Sequence, residues 1–212
     1  MVIPTKGQEN NLINNLNFRI GYFADVGLLF YKPNYYSDQR PYWLPFGNNP
    51  KSEGKIKGGY SLSVGYETAL PTGFTLSVNL LKARLSSFFN DPLALYWDEK
   101  SFTNYYIAEI SFKKDLLNNA NFSLLPKVGL FYRHLIFEDI SYAFDTDGYQ
   151  HILRSLPEFG KKYFDDLGLS FGIDFRYVFQ NRFFAGLSFG TYLILDIGIE
   201  TINVSPIVGV KF

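Results

Sequence analysis

The chain has 212 residues, with 20 Lys+Arg against 20 Asp+Glu and no Cys. No Pro/Gly/Ser-rich linker or charge block divides it, which bounds it to one domain. The net charge of zero gives no general pull toward nucleic acid or anionic lipid, and the lack of Cys excludes disulfides, thiolate metal sites and Cys nucleophiles.

Aromatic content is 19%, from 22 Phe, 16 Tyr and two Trp, more than a soluble domain of this size ordinarily buries. No stretch approaches the ~20 consecutive apolar residues of a membrane-crossing helix, so a membrane can only be crossed by strands. The first ten residues (MVIPTKGQEN) lack the cationic-then-apolar pattern of a secretory signal, and the expectation is that a signal was removed from this numbering. Residues 1–16 read as a periplasmic lead-in to a barrel over 17–212.

A first strand is predicted at about 17–31. It runs into a connection, 32–58, that carries Tyr35, Tyr36, Tyr42, Trp43 and Phe46 among Pro33, Pro41, Pro45 and Pro50. The second strand, 59–70, alternates Tyr60, Leu62, Val64 and Tyr66 with Ser61, Ser63, Gly65 and Glu67, the period of two that marks a strand. Pro71-Thr72-Gly73 turns it into a third strand at 74–87. A connection at 88–103, with Phe88, Phe89, Tyr96, Trp97 and Phe102, leads to a fourth strand at 104–114. The polar turn 115–121 (DLLNNAN) precedes a fifth strand, 122–137.

A third long connection is expected at 138–163, followed by a sixth strand, 164–179, with the clearest alternation of all. There Leu167, Leu169, Phe171, Ile173, Phe175, Tyr177 and Phe179 share one face, and Gly168, Ser170, Gly172, Asp174 and Arg176 share the other. A turn near Gln180-Asn181-Arg182 and strands at 183–196 and 200–212 complete eight, although Phe184 blurs the start of the seventh.

Large residues on one face and small or charged ones on the other invert the arrangement of a soluble sandwich: they suit a wall facing lipid around a polar lumen. They also disfavour a soluble lipocalin-like barrel, which needs an apolar interior. The predicted fold is therefore all-β, a transmembrane antiparallel up-and-down β-barrel of eight strands. Short periplasmic turns alternate with long extracellular loops, and both termini lie on the periplasmic side.

The last strand alternates apolar residues through Val204, Pro206, Val208 and Val210 and ends at Phe212. This resembles the terminal strand of outer-membrane proteins, and the whole pattern resembles the small eight-stranded OmpA- and OmpX-type barrels. The resemblance implies the bacterial outer membrane as compartment, lipid as surroundings, and Phe212 as part of a signal read by the barrel-assembly machinery.

An eight-stranded barrel is just wide enough for side chains to fill it. By parity the lumen holds Glu67, Glu109, Lys113, Lys127, Arg133, Asp174 and Arg176, both charge signs together, which a dry interior tolerates only when they are paired. A salt-bridge network that holds the barrel shut is the expected reading; an ion or proton path is the alternative.

The two histidines are the candidates for catalysis. His134 falls on the lipid-facing parity beside Tyr132, where an acyl-lipid hydrolase could place a base, but Leu135 and Ile136 follow it where outer-membrane phospholipases and lipid A deacylases carry a Ser. It reads as part of the aromatic interface belt. His151 sits in the third connection near Ser155 and Asp147, where acyltransferases of this architecture can keep catalytic groups, and solvated loop residues are the default reading. Asp145-Thr146-Asp147-Gly148 opens like a calcium loop but lacks the later spacing and closing Glu. No catalytic set, metal site or cofactor is expected.

The loops are too aromatic for disorder, and Tyr and Trp anchor interfaces. Tyr42, Trp43, Tyr96 and Trp97 are accordingly the expected partner-interface residues. The functional expectation is a non-enzymatic accessory subunit that binds another outer-membrane protein, with a lipid acyl hydrolase or acyltransferase, or an adhesin, as alternatives.

Overall fold

The computed structural model describes residues 14–28, 57–89, 99–117, 119, 121–146, 152–179, 182–194 and 198–212. They form strands β1 (Asn14–Leu28), β2 (Lys57–Ala69), β3 (Phe74–Phe89), β4 (Glu99–Lys114), β5 (Phe122–Thr146), β6 (Ile152–Phe179), β7 (Phe183–Ile194) and β8 (Gly198–Lys211). Every strand pairs antiparallel with its neighbour in sequence, and β8 closes on β1, giving an up-and-down barrel. Closure satisfies every edge, which is what allows a sheet to stand in lipid.

The tight turns lie at one end of the barrel with the β1 and β8 ends, where Asn14 and Phe212 exchange two backbone hydrogen bonds of 2.9 Å. Gly73 takes φ 78° in the β2–β3 turn, a left-handed conformation that only Gly adopts cheaply. In the β4–β5 turn, Asp115 accepts from the backbone N–H groups of Leu117 and Leu124, and Asn119 accepts from Asn121 and Phe122. These side chains substitute for ladder partners that the turn removes.

Two expectations about the strands need correction. β1 begins at Asn14, so residues 14–16 join the ladder instead of leading into it. The connection expected at 138–163 is for the most part strand: β5 and β6 stay in register from Glu138↔Lys161 to Asp145↔Arg154, leaving only residues 147–151 between them. The alternation that marks a half-buried strand fades above Phe137, where the β5–β6 ladder continues past the Thr103↔Phe137 end of the β4–β5 pairing. Smaller shifts extend β3 to Phe89 and β4 down to Glu99; the expected end of β7, at 195–196, lies outside the described residues.

The outer wall is apolar. Ile20, Leu62, Leu80, Ile110, Leu130 and Leu167 are exposed on it, far more apolar surface than a soluble monomer carries in one continuous patch. Aromatic residues edge this band, with Phe74, Phe122, Phe179 and Phe183 near the turns and Tyr22, Tyr60, Tyr106 and Tyr132 toward the loops.

The lumen is filled, and only in part by charge. Its loop-side half is an apolar plug of Phe23, Leu81, Leu85, Tyr105, Phe131 and Tyr192 with their neighbours. Phe23 packs on Tyr105 at 5.1 Å between ring centroids, and Phe131 meets Tyr192 edge-on at 5.0 Å. This corrects the expectation of a polar lumen, which holds for the turn-side half. Inward glycines make room for the larger side chains: a Cβ at Gly168 would stand 2.6 Å from the Phe131 ring, and one at Gly172 would stand 2.6 Å from Lys127 Cε.

Candidate functional site

The sequence-predicted lumenal charges are all buried, and the barrel sorts them into three groups. Nearest the turns, Glu67 on β2 receives Lys113 Nζ at 2.5 Å and both Arg176 terminal nitrogens at 2.6 and 2.7 Å. Asp174 receives Lys113 at 2.9 Å and Arg176 at 2.6 Å, and its other oxygen accepts from Ser188 at 2.7 Å. Arg19 joins from β1, 3.5 Å from Asp174. Two carboxylates thus face three cations contributed by β1, β4 and β6.

A second group couples Glu109 to Lys127 at 2.9 and 3.1 Å and to the Ser170 hydroxyl at 2.8 Å, with Tyr192 Oη at 3.5 Å linking it to the apolar plug. Arg133 stands apart from both. Its Nε donates to Asp166 at 3.0 Å, and its guanidinium lies 5.5 Å from the Tyr105 ring centre. Phe184 points inward at the turn end, where Arg176 sits 4.7 Å over its ring. Beside it, a cavity of about 160 Å³ opens below Glu67 and Arg176, with Asp115, Lys211 and Asn15 among its lining.

Buried charges survive in a dry interior only when paired and hydrogen-bonded, and removing one partner costs more than the pair contributes. From Glu67 and Lys113 at one end to Leu85, Tyr105 and Ile194 at the other, the lumenal side chains are buried. Such an interior is a locked core.

Sequence reasoning passed over Arg19, Asn17 and Asp166. Parity held the signal for all three: Asn17 and Arg19 alternate with the outward Phe18 and Ile20, and Asp166 shares the face of Asp174.

On the outer wall, His134 faces outward beside Tyr132, as parity predicts. His134 Nδ1 is 2.8 Å from Asp165 Oδ1, and Tyr132 donates to the same oxygen at 2.5 Å. The imidazole is stacked on Tyr163 at 6.0 Å and lies 6.4 Å from Tyr106. A His oriented by a carboxylate is two-thirds of a hydrolytic triad, but the next outward position on β5 is Ile136, which carries no nucleophile. Among the described residues no cluster of His, Asp or Glu could hold a metal ion.

Tyr42, Trp43, Tyr96, Trp97 and His151 lie outside the described residues. Phe212 is exposed at the turn end, its backbone paired with Asn14.

The closed eight-stranded ladder, the apolar wall with its aromatic edges and the filled lumen define a small barrel of the bacterial outer-membrane type. No protein-family model matches the chain. No curated protein matches its sequence. Among solved structures it is similar to Ail, the attachment invasion locus protein of Yersinia pestis, in complex with the heparin analogue sucrose octasulfate. The TM-score there is 0.53 at 9% identity, covering 95% of this chain and 99% of that one. Neisserial surface protein A is similar with a TM-score of 0.55 at 11% identity, covering 94% of this chain and 97% of that one. At such identity the likeness is one of fold.

Proposed function

We propose that this protein is a non-enzymatic outer-membrane barrel that serves as a structural or accessory subunit of a larger outer-membrane assembly, acting through its aromatic-rich loops and its wall. The observation that carries this reading is the filled lumen, in which the Glu67–Lys113–Asp174–Arg176 group lies beneath the apolar plug. Among the described residues the filled lumen offers no route for a solute, which supports a role for the outer surfaces. The acyl-hydrolase alternative is weakened by Ile136, the apolar residue next outward from His134.

Mild-detergent extraction of a tagged protein from outer-membrane fractions, followed by mass spectrometry, tests the proposal. A partner at fixed stoichiometry, lost when Trp43 and Trp97 are replaced by Ala, is expected; a lone barrel would contradict it. In the same reading Phe212 contributes to the signal read by the assembly machinery, and Phe212→Ala is expected to slow membrane insertion without changing the stability of the inserted fraction.

A second reading, a surface adhesin, is favoured by the β5–β6 hairpin, whose ladder continues to Thr146↔Ile152, well past the Thr103↔Phe137 end of the β4–β5 pairing. Loss of host-cell adherence on shortening that hairpin, with no co-purifying partner, would select it.

A further inference from the structure

We infer that Lys82 and Arg84, adjacent outward positions on β3, bind the phosphate of an anionic lipid in the leaflet at the loop end of the barrel. The inference rests on the reading that the barrel spans a bilayer and is independent of the accessory role.

The outward face of β3 runs Phe74, Leu76, Val78, Leu80 and then changes to Lys82 and Arg84. That change falls at the tyrosine edge of the apolar band: Lys82 is in register with Tyr106 on β4, and Arg84 with Tyr60 on β2. Both cations are laid down on aromatic rings, Lys82 Nζ 5.4 Å from the Tyr106 centroid and Arg84 Cζ 4.0 Å from that of Phe102. Such contacts fix the position of a cation without neutralising it.

Among the described residues neither cation has a carboxylate partner, and Arg84 Nε is buried with no acceptor. In the row Lys82–Tyr106–His134–Asp165 the one carboxylate is three strands away and already engaged by His134 and Tyr132.

Two residues along a strand set the Cα atoms of Lys82 and Arg84 ~7 Å apart, close enough for their long side chains to converge on one phosphate. Guanidinium and ammonium groups both donate charge-assisted hydrogen bonds to phosphate oxygens. A soluble anion would find little enclosure on this convex wall. A lipid adds acyl chains, which would lie along Leu80 and its register partners Val64 and Ala108, one outward position below Lys82, and so gains from burial as well as charge.

The test is native mass spectrometry of protein released from nanodiscs of phosphatidylcholine containing a minority of phosphatidic acid. The wild-type protein should retain phosphatidic acid in preference to phosphatidylcholine. The double variant K82Q/R84Q should lose that preference by at least about tenfold, as expected on losing two charge-assisted hydrogen bonds. K82R/R84K should keep it, as should K114Q, which removes the lysine lying over Phe74 at the opposite end of the wall. Equal retention by wild type and K82Q/R84Q, equal loss in K114Q, or displacement of the lipid by inorganic phosphate would overturn the assignment. Failure of the wild-type protein to enter nanodiscs would instead contradict the membrane-spanning reading.

Discussion

Asp174 touches Lys113, Arg176, Arg19 and Ser188 while being fully buried, so its loss, like that of Glu67, strands three cations. Asp174→Asn should cost about 3–5 kcal/mol, the typical penalty for leaving buried cations without their partner, read from the urea midpoint of refolded protein in detergent. Two glycines separate two physical causes. Gly73 has open space around its missing Cβ but a φ of 78°, so Gly73→Ala should cost about 1–2 kcal/mol from backbone strain alone. At Gly172 a side chain would run into the Phe189 carbonyl and Lys127, and Gly172→Val should destabilise well beyond Gly73→Ala in the same urea series.

At the scale of elements, the strands whose two faces differ in chemistry were legible from sequence. β2 and β6 place Tyr60 to Tyr66 and Leu167 to Phe179 outward and their Ser, Gly and charged partners inward, because a period-two pattern of unlike residues admits one register only. The turns at Pro71-Thr72-Gly73 and at residues 115–121 were legible for their backbone chemistry. Where both faces are apolar the pattern is silent: Leu80 and Leu81 on β3, or Leu130 and Phe131 on β5, read alike, yet the second of each pair builds the lumenal plug. Phe184 was ambiguous for the same reason.

The lumenal acids and bases were legible as a set but not as groups, since which strands face one another across the lumen is a property of closure. Above Phe137 the described residues of β5 and the facing part of β6 pair only with each other in the ladder. Replacing residues 140–158 by a tight turn should therefore leave the heat-modifiable electrophoretic shift of the folded barrel intact, while the adherence predicted by the adhesin reading would disappear.

For the whole molecule, the account is of an object turned inside out relative to a soluble domain, with its apolar surface facing outward and a charged, aromatic core locked within. Leu130 lies at the middle of this wall with 66% of its surface exposed; Leu130→Arg should lower stability by about 2–4 kcal/mol in a bilayer, as at the midplane of other barrels. The wall then offers lipid at every azimuth, with the Lys82–Arg84 step as its one proposed selective position. The chain has no Cys, so single cysteines placed along β5 from 127 to 132 can carry spin labels without background.

Collision rates of those labels with oxygen and with a water-soluble nickel chelate, measured after reconstitution into bilayers, test the central claim most directly. The account predicts period-two behaviour, with labels at 128, 130 and 132 reached by oxygen and labels at 127, 129 and 131 shielded from both reagents. Nickel accessibility at 128 and 130 would contradict the lipid-facing wall, and nickel accessibility at 127, 129 and 131 would contradict the locked lumen.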